Sequence, residues 1–345
     1  MGIRTLAREL GLSIGTVSRA LNDRPDVSAA TRARVKDAAE RSGYVPDQSG
    51  RSLRKGRTGI VAAVIPTSGL SPSAEATFLK VLEGARRTLL RSNLDLIVIF
   101  RGPDEDALDH LHRMVSRHIA DGILITEVVP DDIRVPFLRG AGVEFVAFGR
   151  DGPGSDDHPW VDFDFEDITR TAAEHFASAG HRRLAAVLSD MPLNYNFLIA
   201  DRFPAEARAA GLTDRVPVWH VGEAGLKHKH LAALAGPDAP TGFLTGNETI
   251  AAALYTALEA GGRAVGRETA VINAFPTLTQ QPFTPPLASF ETDLDAVGVA
   301  LARHLTARLC ECPEDRQDPP ADRVRLRLVA RGSETCARFA QAIRA

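Results

Sequence analysis

The apolar period of the chain changes at Gly59, and no single architecture accommodates the pattern on both sides of it. Before Gly59, short apolar stripes recur at helical spacing. Beyond it, compact apolar runs alternate with longer amphipathic stretches. A small all-helical module joined to an α/β body satisfies both, and 345 residues suffice for two or three domains.

In the first module Ile3, Leu6, Ala7 and Leu10 stand at i, i+3, i+4 and i+7, and Gly11 closes that helix. Ser13 is placed to cap a second helix from Ile14, which turns Val17 and Leu21 inward. Asn22-Asp23-Arg24-Pro25 breaks it. Ser28 can cap a third, with Val35, Ala38 and Ala39 inward, as far as Gly43. Two helices across a tight glycine turn, with a third behind them, form a helix-turn-helix. The residues that would meet base edges are then Ile14, Gly15, Thr16, Ser18 and Arg19. Arg19 suits guanine O6 and N7, and the hydroxyls of Thr16 and Ser18 suit phosphate oxygens. Taken alone, the same three-helix pattern also fits a bundle used for protein contacts. Residues 1–57 carry twelve Lys/Arg against six Asp/Glu, and the remainder 29 against 38. A basic module on an acidic body is the distribution expected where one end meets a polyanion.

In the body, strands are expected at Ile60–Ile65, Leu94–Phe100, Gly122–Ile125 and Val143–Phe148, with helices over Glu75–Leu90, Glu105–His118 and Asp132–Arg139. A second series starts near Phe163. Its helices cover Asp167–Ala179, Arg202–Ala210 and Thr249–Ala260; its strands are Leu184–Leu188, Val216–Trp219, Gly242–Leu244 and Ala270–Ile272. Such alternation gives two doubly wound parallel sheets. They could be two dinucleotide-binding domains, a two-domain enzyme, or a two-lobed binding protein. The chain has no G-x-G-x-x-G after a strand, no Walker A motif, no G-x-S-x-G elbow and no H-E-x-x-H, which argues against the first two.

Other clusters have plain readings. Asp162-Phe163-Asp164-Phe165-Glu166-Asp167 lacks the glycine and terminal glutamate of a calcium loop and reads as a strand end followed by an acidic first helical turn. His228 and His230, like Cys310 and Cys312, are two apart and would be split across a helix, so neither a metal nor any other cofactor is expected. Three cysteines near the C-terminus do not make a disulfide framework. No run approaches the roughly 18 apolar residues of a membrane span. The amino terminus also lacks a signal-peptide stretch, so the expected location is cytoplasmic.

Leu12-Ser13-Ile14-Gly15-Thr16-Val17-Ser18-Arg19-Ala20-Leu21-Asn22 resembles the signature of the lactose-repressor family. So do Val27-Ser28-Ala29-Ala30-Thr31-Arg32, Gly43-Tyr44-Val45-Pro46 and Arg51-Ser52-Leu53-Arg54, without a gap. The likeness continues more loosely through Gly180-His181-Arg182-Arg183-Leu184-Ala185, Pro285-Pro286-Leu287 with Asp293 and Gly298, and Leu328-Val329-Ala330-Arg331-Gly332-Ser333, covering nearly the whole chain. The resemblance implies a helix-turn-helix headpiece over residues 1–46 and a hinge over 47–57. An effector-binding and dimerisation domain over 58–345 would follow, with a periplasmic-binding-protein-like fold. Its first lobe is expected at about 58–162 and 290–320, and its second at about 163–289 and 321–345.

Ser13, Asn22, Ser28, Thr31 and Tyr44 join the helix residues in the DNA-contacting set that the resemblance implies. Gly15 stands where many relatives carry a base-reading side chain, which shifts readout toward Ile14 against a thymine methyl. In the hinge, the leucine matched by Leu53 wedges into the minor groove and kinks the duplex, Arg54 shares that groove, and Arg51, Lys55 and Arg57 neutralise phosphates.

Ligands of open parallel sheets bind beyond the carboxyl ends of the strands. That rule selects Thr67 and Ser68, Thr126 and Glu127, Arg150, Asn194, Tyr195 and Asn196, Asn247, and Phe275. Arg202 matches the arginine with which the family's sensors hold a ligand. Phe275 replaces an aspartate frequent in sugar-sensing relatives, and Arg150 could offer polarity or bind an acidic group. The implied effector is a sugar or sugar derivative; a nucleoside-like or acidic metabolite is the alternative. The implied assembly is a homodimer on an inverted-repeat operator, in which closure of the cleft moves the first lobes and with them the hinges. A solute-binding protein of a transporter would share the body but lack the headpiece.

Overall fold

The computed structural model describes residues 2–21, 23–44, 57–67, 72–102, 104–152, 157–212, 215–222, 224–278, 283–310 and 321–335. The chain divides into two compact units, Met1–Thr58 and Gly59–Ala345.

The first unit holds helices α1 (Ile3–Leu10), α2 (Ile14–Leu21) and α3 (Ala29–Arg41). Gly11 adopts the left-handed conformation (φ 64°) that ends α1, and its N–H returns to the carbonyls of Ala7 and Arg8. Ser13 Oγ accepts from Thr16 N–H at the head of α2, and Ser28 Oγ from Thr31 N–H at the head of α3. Leu6, Ala7, Val17, Ala20, Val27, Val35, Ala38 and Ala39 form one small core.

The second unit contains two six-stranded sheets. The first is built from β1 (Ile60–Pro66), α4 (Pro72–Arg91), β2 (Asp95–Arg101), α5 (Ala107–Ser116), β3 (Gly122–Ile125), α6 (Arg134–Gly140), β4 (Glu144–Phe148) and β5 (Trp160–Phe163). The second follows with α7 (Phe165–Ser178), β6 (Leu184–Ser189), α8 (Asn194–Ala209), β7 (Val218–Val221), α9 (His228–Ala235), β8 (Gly242–Thr245), α10 (Glu248–Ala260), β9 (Ala270–Asn273) and β10 (Ala288–Glu291). Then α11 (Leu294–Cys310) and β11 (Ala321–Val324) return to the first lobe, and β12 (Arg327–Val329) closes the second. The strand orders are β11-β5-β4-β3-β1-β2 and β12-β10-β9-β8-β6-β7. All pairings are parallel except β10 with β12. Each sheet therefore changes winding direction beside its first strand, at β1/β3 and at β6/β8, where such folds bind ligands.

Three departures from the sequence reading matter. Residues 321–324 pair with β5 in the first sheet rather than joining the second lobe, because α11 has already carried the chain back. The polar strand Ala-Asp-Arg-Val carries no signal of which sheet it borders. Second, α8 starts at Asn194, not Arg202. Pro204 reads as the first turn of a helix, where proline costs nothing. Here it lies mid-helix, carried by the buried stripe Ile199, Phe203 and Ala207. Third, α9 went unread because it is short; His230 caps it by accepting from Lys227 N–H and stacks on Trp219 at 5.3 Å.

The first lobe is locked by contact between α4 and α11. A Cβ on Gly298 would stand 1.9 Å from the Val81 carbonyl, and one on Gly84 2.3 Å from that of Asp295. Only glycine lets the two backbones touch, which offsets its helix cost of about 1 kcal/mol. Among the described residues no helix is long and apolar enough to cross a membrane.

Candidate nucleic-acid interface and ligand cleft

The buried side of α2 is Val17 and Ala20; Ser13, Ile14, Gly15 and Arg19 are exposed on the other, with Thr16 and Ser18 half-buried. Ile14 is 46 % exposed, an apolar side chain left in water at the head of a short helix. Gly15 leaves open floor beneath Arg19: a Cβ there would lie 3.7 Å from the guanidinium, in ordinary contact. Arg19 Nε stands 3.2 Å from Asp26 Oδ2, an exposed pair worth at most about 1 kcal/mol, so the guanidinium can exchange it for another acceptor. Ser28 and Thr31 lie together at the head of α3, their hydroxyls bonded to each other. Tyr44 is half-buried against the headpiece core, with its N–H on the Ala39 carbonyl. Asn22, Arg51, Leu53 and Arg54 lie outside the described residues.

The second site is a cleft between the lobes, about 890 Å³ including its open mouth. Its walls come from the start of α4 (Thr77, Phe78), the segments after β3 and β4 (Glu127, Val128, Gly149, Arg150), the β5–α7 junction, the turn into α8 (Met191, Leu193, Asn194, Tyr195), and Gly246, Asn247 and Phe275. Of the residues expected there, Glu127, Arg150, Asn194, Tyr195, Asn247 and Phe275 line the cleft. Thr67, Thr126 and Asn196 sit at the right strand ends, but each spends a side-chain donor on a backbone carbonyl, and Asn196 Oδ1 is buried without a hydrogen-bond partner. Thr67 Oγ1 donates to Arg101 O, Thr126 Oγ1 to Val64 O, and Asn196 Nδ2 to Met191 O. Arg202 is not among the cleft residues. Its side chain is half-exposed, 3.6 Å from Asp201, because the earlier start of α8 carries position 202 two turns away from the cleft end. Ser68 lies outside the described residues.

Arg150 is committed. Its Nε donates to Asp162 at 3.0 Å, and its two terminal nitrogens reach the two oxygens of Glu166 at 2.9 and 3.0 Å, while the guanidinium lies over the Trp160 ring. Burial works against ionisation of Glu166, but the Arg150 fork outweighs it and holds the carboxylate down at about 2. The acidic run at 162–167 thus does more than end a strand and start a helix: Asp164 caps α7, and Asp162 and Glu166 anchor this cation. Their spacing of four across the junction was the available signal.

Six aromatic rings line the space: Phe78, Phe148, Phe163, Phe165, Tyr195 and Phe275. Phe275 packs on Tyr195, Phe165 and Phe163 at 4.8, 5.5 and 5.9 Å, filling the position with ring rather than charge. Asn247 caps α10 through its Oδ1, which accepts from Ile250 N–H at 2.8 Å. Glu127 follows β3 with φ 51°, a strained conformation for a non-glycine residue. Hydrogen bonds already cross the cleft: Ser73 N–H, in the first turn of α4, donates to Glu248 at the head of α10 at 2.6 Å, Leu278 N–H donates to Ser73 Oγ, and Asn194 N–H to the Val128 carbonyl. Among the described residues no group of three or more His, Cys, Asp or Glu is placed to hold a metal ion.

The family model of the lacI family of bacterial regulatory proteins matches residues 3–47, and that of a periplasmic binding protein-like domain matches residues 173–334. The HTH-type transcriptional regulator RafR of Escherichia coli is 29% identical over 283 residues, 81% of this chain and 83% of that protein. The Lac repressor dimer bound to operator and the anti-inducer ONPF matches with a TM-score of 0.81 at 17% identity, over 97% of this chain and 99% of that one. The transcriptional regulator CelR in complex with cellobiose matches with a TM-score of 0.68 at 24% identity, over 96% and 99%. At such identities the structural likeness is one of fold. Its headpiece matches the lacI family of bacterial regulatory proteins, its body matches a periplasmic binding protein-like domain, and the relatives it resembles are transcription regulators built the same way.

Proposed function

We propose that the chain is a cytoplasmic, ligand-responsive, sequence-specific DNA-binding regulator, a homodimeric repressor of genes for carbohydrate uptake or catabolism. The observation that carries this reading is the pairing, in one chain, of a capped helix with an exposed polar face and an inter-lobe cleft with unpaired polar groups. The headpiece supplies charge and a groove-sized helix, and the relatives of the chain are transcription regulators.

In this reading Ile14, Thr16, Ser18 and Arg19 face the major groove, Ser13, Ser28 and Thr31 meet phosphates, and Leu53 and Arg54 enter the minor groove. A sugar enters the cleft, with Asn194, Asn247 and the aromatic wall around it. The CelR complex with cellobiose supports a sugar, and the Lac repressor dimer on operator supports the assembly. Self-association through the first lobe is further supported by its edge strand β2, where Phe100 and Val98 are exposed. The aromatic wall would equally stack a nucleoside-like effector. An acidic effector loses its expected partner, since Arg150 is spent on Asp162 and Glu166.

The test is selection from a random-sequence duplex pool with the full-length protein. Enrichment of an inverted repeat, lost in Arg19→Ala, is the expected result. A pool that stays random overturns the proposal.

A further inference from the structure

Two polar atoms of residues that line the cleft have been given no partner by the fold. Glu127 Oε1 and Asn194 Nδ2 are buried and make no hydrogen bond among the described residues. They line the same cleft from opposite lobes, one just beyond β3 and the other opening α8. The Glu127 side chain is 8 % exposed, and its Oε2 stands 3.7 Å from Arg101 Nη2, outside hydrogen-bond reach. The charged and titratable groups that act on it are Arg101 from β2, Arg134 from α6 and Tyr195 from α8. Arg134 is committed to Asp132 and to the carbonyls of Thr126 and Glu127. Tyr195 stays neutral, its phenol pushed up by burial and then by the charge of Glu127. Burial likewise pushes Glu127 up to about 7, against the pull of Arg101 and Arg134.

A buried acceptor without a donor, or a donor without an acceptor, destabilises a fold, and natural folds leave few of them. One of each, on facing walls of one cleft, is a complement waiting for a molecule that carries both. We infer that the effector donates a hydroxyl or ammonium hydrogen to Glu127 on the first lobe and accepts from Asn194 on the second, and that acidic and phosphorylated compounds are excluded. A sugar hydroxyl does both at once. An amino sugar does it with an ammonium and a neighbouring hydroxyl. An anion would meet Glu127 and Asp162, while Arg150, the one cation lining the cleft among the described residues, is spent. Since the two contacts lie on different lobes, the ligand that makes them also ties the lobes together.

The inference rests on the regulator reading and names the chemistry of its effector. It is tested on the full-length protein by thermal shift and calorimetric titration with cellobiose and ribose (neutral), glucosamine (cationic), and gluconate and glucose 6-phosphate (anionic). At least one neutral or cationic probe should bind, with affinity rising about tenfold from pH 6 to pH 8 as Glu127 ionises. Glu127→Gln should abolish that pH dependence, with a small loss for a hydroxyl donor and a large one for an ammonium. Asn194→Asp, which replaces a donor by an acceptor of the same shape, should abolish binding. Without any ligand, Glu127→Gln should raise the melting temperature at pH 8, and the gain should shrink as pH falls through 7 and vanish below about pH 4. Binding of either anion, failure of every neutral and cationic probe, or a melting temperature that falls in Glu127→Gln at pH 8 overturns the inference. Selection of an inverted repeat by the same variants keeps any such failure separate from the DNA-binding reading.

Discussion

The two candidate sites solve opposite physical problems. The face of α2 lies in water, where an exposed isoleucine and a guanidinium in a loose surface pair cost the fold little. The cleft is assembled from segments as far apart as Ala74 and Phe275, and its polar atoms are either tightly paired, as those of Arg150 are, or buried without a hydrogen-bond partner, as Glu127 Oε1 and Asn194 Nδ2 are. The headpiece can therefore change what it binds without changing how firmly it folds, whereas in the sensor ligand recognition and stability act through the same atoms.

Truncating Arg150 should test that contrast most severely. Arg150→Ala leaves the buried Asp162 without its cation and Glu166 with only the half-exposed Arg323, 3.5 Å away, and should cost about 3–5 kcal/mol of sensor stability. The loss is readable by denaturant unfolding followed through Trp160 and Trp219, the buried tryptophans of the two lobes. A cost under about 1 kcal/mol would show that the cleft tolerates change as a surface does. Glu248→Ala removes the carboxylate that holds Ser73 across the lobes and should cost about 1.5–3 kcal/mol, with weaker effector binding; unchanged stability would mean that the lobes are held elsewhere.

On the headpiece the sign of the expectation reverses. Arg19→Ala should lose about 1–3 kcal/mol of operator affinity and relax preference at one base pair, with unfolding unchanged. A drop in stability as large as the drop in affinity would erase the distinction. Smallest of all, Asp26→Asn frees Arg19 from its surface pair and should tighten operator binding by less than about 1 kcal/mol, measurable by fluorescence anisotropy. Weaker binding would mean that Asp26 positions the guanidinium rather than competing for it.

The same contrast explains what the sequence made legible. The headpiece site is contiguous, and its caps, turn and buried positions follow from local rules, so Ser13, Gly11 and Ser28 stand where spacing puts them. The strand-end rule located the cleft but fixes the backbone, not the direction of a side chain. It selects Asn194 and Asn247, which line the cleft, and by the same logic Thr67, Thr126 and Asn196, which each donate to a backbone carbonyl. Phe78, Phe148, Phe163 and Phe165 read as ordinary core, since nothing in a lone apolar residue says that the space beside it is left open. Arg202 shows the cost of a helix start displaced by a proline: a shift of eight residues moves a candidate ligand contact to the solvent face.

The most direct measurement is the salt dependence of operator binding, read by anisotropy of the selected duplex titrated with the full-length protein. The logarithm of affinity should fall linearly with the logarithm of salt concentration, and Arg19→Ala should lower the line. A stabilising sugar should shift it bodily by roughly 5- to 150-fold. An affinity indifferent to both salt and sugar would contradict the claim that the headpiece is a polyanion-binding module governed by the cleft.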